Sequence, residues 1–205
     1  MARISKPPEE RKQELIDVAI RLFFTKGYEE TSVRDILKEV NGAPGMFYYY
    51  FASKEEIFRA AIDSYVERYI QSLTATILNK ELSVPDRIKG SIGQFNQTFS
   101  KISQFVTNPD SPFNTIFHTA LSNKIISALN QPLTILVNDA IECGLIKQES
   151  IKTKTIDETV FYLTAGIYGI MNYSIYNIGS QEYLQKPQLV LQYISILLDI
   201  DISSL

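Results

Sequence analysis

Residues 31–58, TSVRDILKEVNGAPGMFYYYFASKEEIF, place a helix-start signal on each side of a turn signal, and that spacing leaves few ways to fold. Ser32 with Asp35 has the S-x-x-D spacing of a capping box, and Ser53 with Glu56 has S-x-x-E. After the first box, Ile36, Leu37 and Val40 make one short apolar helical face. Asn41-Gly42 tolerates left-handed backbone, and Pro44 suits the first turn of a new helix. In that helix Phe47 and Phe51 lie four apart, on a side to be buried. Tyr48, Tyr49 and Tyr50 cannot all share it, so some must reach outward.

Helix, tight turn, and helix with outward aromatic donors is the layout of a helix-turn-helix. Leu22-Phe23, Gly27-Tyr28, Thr31-Ser32, Val33-Arg34-Asp35-Ile36, Gly45, Phe47-Tyr48, Phe51 and Ser53-Lys54-Glu55-Glu56 follow in order. This string resembles the DNA-binding segment of the TetR (tetracycline-repressor-like) family of bacterial transcription regulators, over roughly residues 10–60. The resemblance implies a repressor released from a palindromic DNA operator by a small-molecule effector, acting as a homodimer through its last two helices. The competing reading is a helical small-molecule-binding protein that has lost DNA binding.

Helical periodicity runs through the rest of the chain. Leu15, Ala19, Leu22 and Phe23 predict a first helix from about Glu9 to Lys26, ended by Gly27. A fourth helix from Ser53 to about Asn79 has no Pro or Gly to break it, with Ile57, Phe58, Ala61, Tyr65, Tyr69 and Leu73 inward. Ile88, Ile92, Phe95, Phe99, Ile102 and Val106 repeat at helical spacing, and Asn108 to Pro112 is a turn cluster. Short and longer helices are expected over 113–120 and 121–143, with Pro132 at a kink or break. An uncharged helix over about 157–178 follows, and then a last one opened by Pro187 with Leu189, Tyr193, Ile196 and Ile200 as its apolar side. No stretch alternates with period two. The expected fold is all-α with about nine helices: a helix-turn-helix head over 1–52 and a ligand-binding, dimerising body over 53–205.

Charge argues for local rather than broad contact with nucleic acid. Residues 1–60 carry 10 basic and 10 acidic side chains, and residues 61–205 carry 10 and 13. A neutral head must place its cations individually, and its binding should be steeply salt-dependent. Lys54, at the start of the fourth helix, is a phosphate candidate, with Tyr48, Tyr50 and Ser32 as hydroxyl donors. Arg34 suits bidentate contact with guanine, and Tyr49, Ala43, Pro44 and Gly45 line the start of the recognition helix. The resemblance assigns phosphate contacts to the positions of Ser32, Tyr48, Tyr50 and Lys54. Family members often carry Ser or Thr at Ala43, Lys or Arg at Pro44, Thr at Met46 and His at Tyr50. Base readout here is therefore expected to be sparse, with a share from DNA shape.

Residues 61–205 hold 14 of the 23 Phe and Tyr residues. Phe95, Phe99, Phe113, Phe117, Phe161, Tyr168 and Met171 are candidates for an apolar pocket, with Asn96, His118 and Asn172 as polar groups to orient a ligand. Gly166 and Gly169 permit close helix approach, proposed at a two-fold interface. Cys143, the sole cysteine, excludes an intrachain disulfide and is expected to be a buried, inert thiol. Residues 159–181 are uncharged but too rich in Gly, Asn, Ser and Thr for lipid, so no membrane partner is expected. The opening MARISKPPEERK has no secretory apolar run, and a cytoplasmic location is expected. One histidine, no Gly-rich phosphate loop and no metal-ligand spacing lead to the expectation of no enzyme, no metal and no cofactor.

Overall fold

A computed structural model describes residues 6–103, 112–172 and 185–202, apart from the side chains of 102–103, 112–123 and 172. The regular elements of these residues are helices. They are α1 (Pro8–Lys26), α2 (Val33–Glu39), α3 (Pro44–Tyr50), α4 (Lys54–Leu78), α5 (Val84–Ser103), α6 (Pro112–Glu142), a 3₁₀ turn (Gln148–Ser150), α7 (Ile156–Asn172) and α8 (Lys186–Leu198). The chain is all-α, close to the helix count expected. The stretches 113–120 and 121–143 form one helix rather than two, because nothing between them breaks a helix; α6 even runs through Pro132. The predicted stop at Gly179-Ser180 and the cluster Asn108–Ser111 lie outside the described residues.

The chain divides into two compact units, Met1–Glu67 and Arg68–Leu205. That division falls inside α4, not at its start, because the first half of α4 is core to the head. Ile57, Phe58, Ala61, Ile62 and Val66 are all buried. Phe58 meets Phe23 edge-on at 5.3 Å and Tyr28 at 4.7 Å, so the aromatic rings of α1 and the following turn close over α4. Thr31 is fully buried, and its hydroxyl donates to the carbonyls of Gly27 at 2.7 Å and Leu22 at 3.3 Å. It thereby ties the segment before α2 to the end of α1.

In the second unit, Leu73 and Ile77 of α4 join Leu129, Leu136, Val137, Val160 and Leu198 in one apolar cluster. Arg87, only 3% exposed, ties three helices together. Its guanidinium donates to the Ile77 carbonyl at 3.1 Å and to Asp139 at 2.7 Å. Lys80 pairs with the same carboxylate. Asp139 is held below the usual carboxylate range, first by the Lys80 hydrogen bond and then by Arg87.

Helix α8 divides its apolar residues between two sides. Val190, Leu198 and the following Ile200 are buried, whereas Leu189 is half-exposed and Ile196 is 82% exposed. Of the apolar side expected from Leu189, Tyr193, Ile196 and Ile200, Ile200 is thus buried, Tyr193 partly so, and Leu189 and Ile196 are exposed. Tyr193 lies against α7, its hydroxyl donating to the Tyr162 carbonyl. A Cβ on Gly166 would stand 2.2 Å from the Tyr193 ring, so Gly166 permits close approach of Tyr193 within the chain. A Cβ on Gly169 would meet nothing within 4 Å. Gly166→Ala is therefore expected to cost about 1–3 kcal/mol by overpacking, and Gly169→Ala to be neutral or to gain up to about 1 kcal/mol of helix propensity. Urea unfolding of both variants checks this; equal midpoints would contradict it.

Candidate nucleic-acid interface and cavity

The turn between α2 and α3 is set by three backbone contacts. Asn41 takes left-handed backbone at φ 51°, Gly42 N–H donates to the Leu37 carbonyl at 2.8 Å, and Asn41 N–H to Lys38 at 3.3 Å. These are the 6→1 and 5→2 bonds of a Schellman motif, with Asn41 rather than the glycine in the left-handed position. Gly42 is needed for space: a Cβ there would lie 2.1 Å from the Met46 methyl and 2.9 Å from Leu37. The chain then enters α3 with Pro44 in its first turn and Ala43 as a cap that supplies no side-chain bond.

The first capping box forms in full and the second only in half. Asp35 N–H donates to the Ser32 hydroxyl oxygen at 3.1 Å, and Ser32 N–H to the Asp35 carboxylate at 2.9 Å. The second is looser: Glu56 N–H donates to Ser53 at 3.2 Å, while the Glu56 carboxylate accepts from Ala52 N–H at 2.6 Å. On α3, Phe47 and Phe51 are buried, and Tyr48 and Tyr49 stand 63% and 74% exposed. Tyr50 is half-buried, its ring edge-on to Tyr49 at 4.8 Å. Ala43, Pro44, Gly45 and Arg34 are exposed on the same compact unit. Among the described residues Arg34 and Lys38 make no ion pair, whereas Arg21, Lys26 and Arg59 pair with Glu39, Asp35 and Glu55. Those two cations of α2 are thus available to an external anion.

Two sequence candidates have prior engagements. The Ser32 hydroxyl donates to Asp35 at 2.7 Å, so as a phosphate donor it must leave that bond. Lys54 lies over the Tyr28 ring at 4.2 Å and donates to the Tyr28 carbonyl at 2.9 Å and the Glu29 carbonyl at 3.4 Å. Its ammonium ties the start of α4 to the α1–α2 turn, a role that sequence spacing did not reveal.

The second unit holds a partly open cavity of about 230 Å³. Of the ligand candidates, Phe95, Phe99, Tyr168 and Met171 line it. Phe161 does not: it is 58% exposed and meets Tyr162 edge-on at 5.8 Å, because it falls on the other side of α7 from buried Leu163. Asn96 is likewise exposed. The side chains of Phe113, Phe117, His118 and Asn172 lie outside the described residues. Most of the wall is aliphatic, including Ile88, Ile92, Leu129, Leu133 and Ile167, residues that the search for aromatic groups passed over. Cys143 is exposed, since α6 ends at Glu142 and leaves it in the following turn. No helix among the described residues is long and apolar enough to cross a membrane.

Residues 15–61 match the family described as bacterial regulatory proteins, tetR family. An uncharacterized HTH-type transcriptional regulator in the lacX 3' region of Lactococcus lactis subsp. lactis is 39% identical over 72 residues, covering 35% of this chain and 37% of that protein. The HTH-type transcriptional repressor ComR of Escherichia coli (strain K12) is 30% identical over 97 residues, 47% of this chain and 43% of that protein. The chain thus spans less than half the length of these curated relatives. A crystal structure of a transcriptional regulator from Cytophaga hutchinsonii ATCC 33406 aligns with a TM-score of 0.68 at 17% identity, covering 91% of this chain and 96% of that one. At such identity the likeness establishes the fold alone.

The capping box also sets a pH dependence. Hydrogen bonds from the Ser32 backbone and hydroxyl, then from Lys26, lower the Asp35 carboxyl from 3.8 to about 2. A carboxyl depressed on folding stabilises the fold above its unfolded value, and that contribution fades as pH falls from about 4 to about 2. Asp35→Asn is expected to unfold at lower denaturant than wild type at pH 7, with the gap closing over that window. A gap of the same size at pH 2 would show that the carboxylate charge is not its source.

Proposed function

We propose that this chain, a member of the TetR family by its residues 15–61, is a DNA-binding transcription regulator that acts as a repressor released by a small-molecule effector. The observation that carries the reading is the α2–α3 unit. A Schellman turn and two buried phenylalanines hold α3 so that Tyr48, Tyr49 and the Ala43-Pro44-Gly45 entry face outward beside exposed Arg34. In this reading Tyr48, Tyr50, Ser32 and Lys54 contact phosphate, and Arg34 and Tyr49 read bases in the major groove. Lys54 does so from its place over Tyr28, as a fixed positive charge more than as a mobile arm. The exposed Arg34 and the intact turn favour this reading over a binding protein that has lost DNA.

The effector would occupy the apolar cavity of the second unit. Tyr69, Leu73 and Ile77 of α4 line that cavity, and Lys54 opens the same helix. A ligand preferring a different α4 position would weaken DNA binding, and by linkage operator DNA would weaken ligand binding by the same factor. Exposed Phe161, Tyr162, Leu189 and Ile196 on α7 and α8 supply an apolar surface suited to a two-fold mate and hence to a palindromic operator.

Salt titration of operator binding tests the division of labour in the head. Lys54→Ala should weaken all sites about equally and lower the salt slope by about one. Arg34→Ala should relax preference at one base position, costing about 1–3 kcal/mol there. Indistinguishable behaviour of the two variants across operator mutants would contradict the assignment.

Assembly is tested separately. Ile196→Glu places a charge on the proposed two-fold surface without touching the cavity wall, so it should sediment as a folded monomer with much weaker operator binding. An unchanged dimer would put the interface elsewhere.

A further inference from the structure

The cavity wall restricts what can fill it. Among the described residues that line it there is no charged side chain and no Asn, Gln or His. Two of its few polar groups are already satisfied. The Ser91 hydroxyl donates to the Arg87 carbonyl at 2.7 Å, and the Thr164 hydroxyl to the Val160 carbonyl at 2.9 Å. An apolar occupant therefore leaves neither donor stranded, while a carboxylate, phosphate or ammonium would lose its hydration with no opposite charge to meet it. The Arg87–Asp139–Lys80 cluster carries one net positive charge, but Arg87 is paired with Asp139, Lys80 is mostly in solvent, and none of the three lines the cavity.

Size narrows the class further. A dry cavity of about 150 Å³ lined by Leu, Ile and Phe takes up benzene. By proportion, about 230 Å³ suits a molecule of roughly nine or ten carbon atoms. We infer that the ligand of this cavity is a neutral, largely hydrocarbon molecule of that size, bearing at most one hydroxyl or carbonyl. The inference rests on the effector-binding reading above and specifies its chemistry: ionic metabolites and cationic compounds are not its ligands.

Isothermal calorimetry of the full chain tests it with 1-hexanol, 1-octanol and 1-decanol, then with decanoate and decylammonium at pH 7, all below their aggregation limits. Affinity should rise by about fourfold per added methylene from hexanol to decanol. Both charged congeners should bind at least about tenfold more weakly than decanol. Ile92→Trp, which fills the space from α5, should abolish decanol binding with the helical signal retained; if that variant does not fold, the comparison of charges on wild type decides alone. Decanoate or decylammonium binding as tightly as decanol would overturn the inference, as would absence of binding by every alcohol. Operator binding by the same preparation, with and without decanol, separates the two readings. Operator binding intact but no alcohol bound defeats only the ligand class. Decanol bound with operator affinity unchanged supports the class and defeats its regulatory use.

Discussion

The burial of Phe47 and Phe51 is the constraint on which the outward face of the head depends. A helix of seven residues is too short to be stable alone, since nucleation is costly and few hydrogen bonds repay it. Phe47 on the helix and Phe51 at its C-cap, tied to it by the Phe51 N–H bond to the Phe47 carbonyl, are both buried. Burial of each phenylalanine stabilises by roughly 1.5–3 kcal/mol, more than the local preferences of this short element supply. Once that face is fixed, Tyr48 and Tyr49 have only solvent to face. The Schellman turn at Asn41 and the steric limit at Gly42 then fix where α3 begins relative to α2.

The second unit follows a different logic. Its space is left between long helices rather than filled, and polar groups are kept at the margin. Arg87 and Asp139 place a buried ion pair across the end of α4, the start of α5 and the end of α6. Truncating one partner of such a pair strands the other charge, so the pair fixes geometry more than it adds stability. Lys186, 3% exposed, does comparable work beside α7 by donating to the Met171 carbonyl, and burial lowers its ammonium to about 8.

The head was largely legible in the sequence because its signals are local. Capping boxes, Asn-Gly and Pro44 act within three or four residues, and the four helices they delimit lie where they were expected. What local signals missed were choices made by tertiary packing. Lys54 has a partner 26 residues away in Tyr28, which no spacing rule announces. In the body, helical period predicts a stripe but not which stripe is buried. Of the apolar side read from the last helix, Ile200 is buried while Leu189 and Ile196 are exposed, and Phe161 reads as pocket although it faces outward. Gly166 was rightly read as a place of close approach, but its neighbour is Tyr193 of the same chain. Aromatic content drew attention to the right unit and to four of the lining residues, yet aliphatic side chains make most of the wall.

The central claim is that the outward face of α3, together with Arg34, recognises a DNA sequence. Selection from a random pool of duplexes at physiological salt tests it most directly, with wild-type protein beside an Arg34→Ala, Tyr49→Ala double variant. The account predicts that wild type enriches a two-fold symmetric sequence with half-sites about one helical turn apart. The double variant should lose the preferred bases within each half-site while retaining weak, salt-sensitive binding. Enrichment of the same motif by both proteins, or of none by wild type, would contradict it.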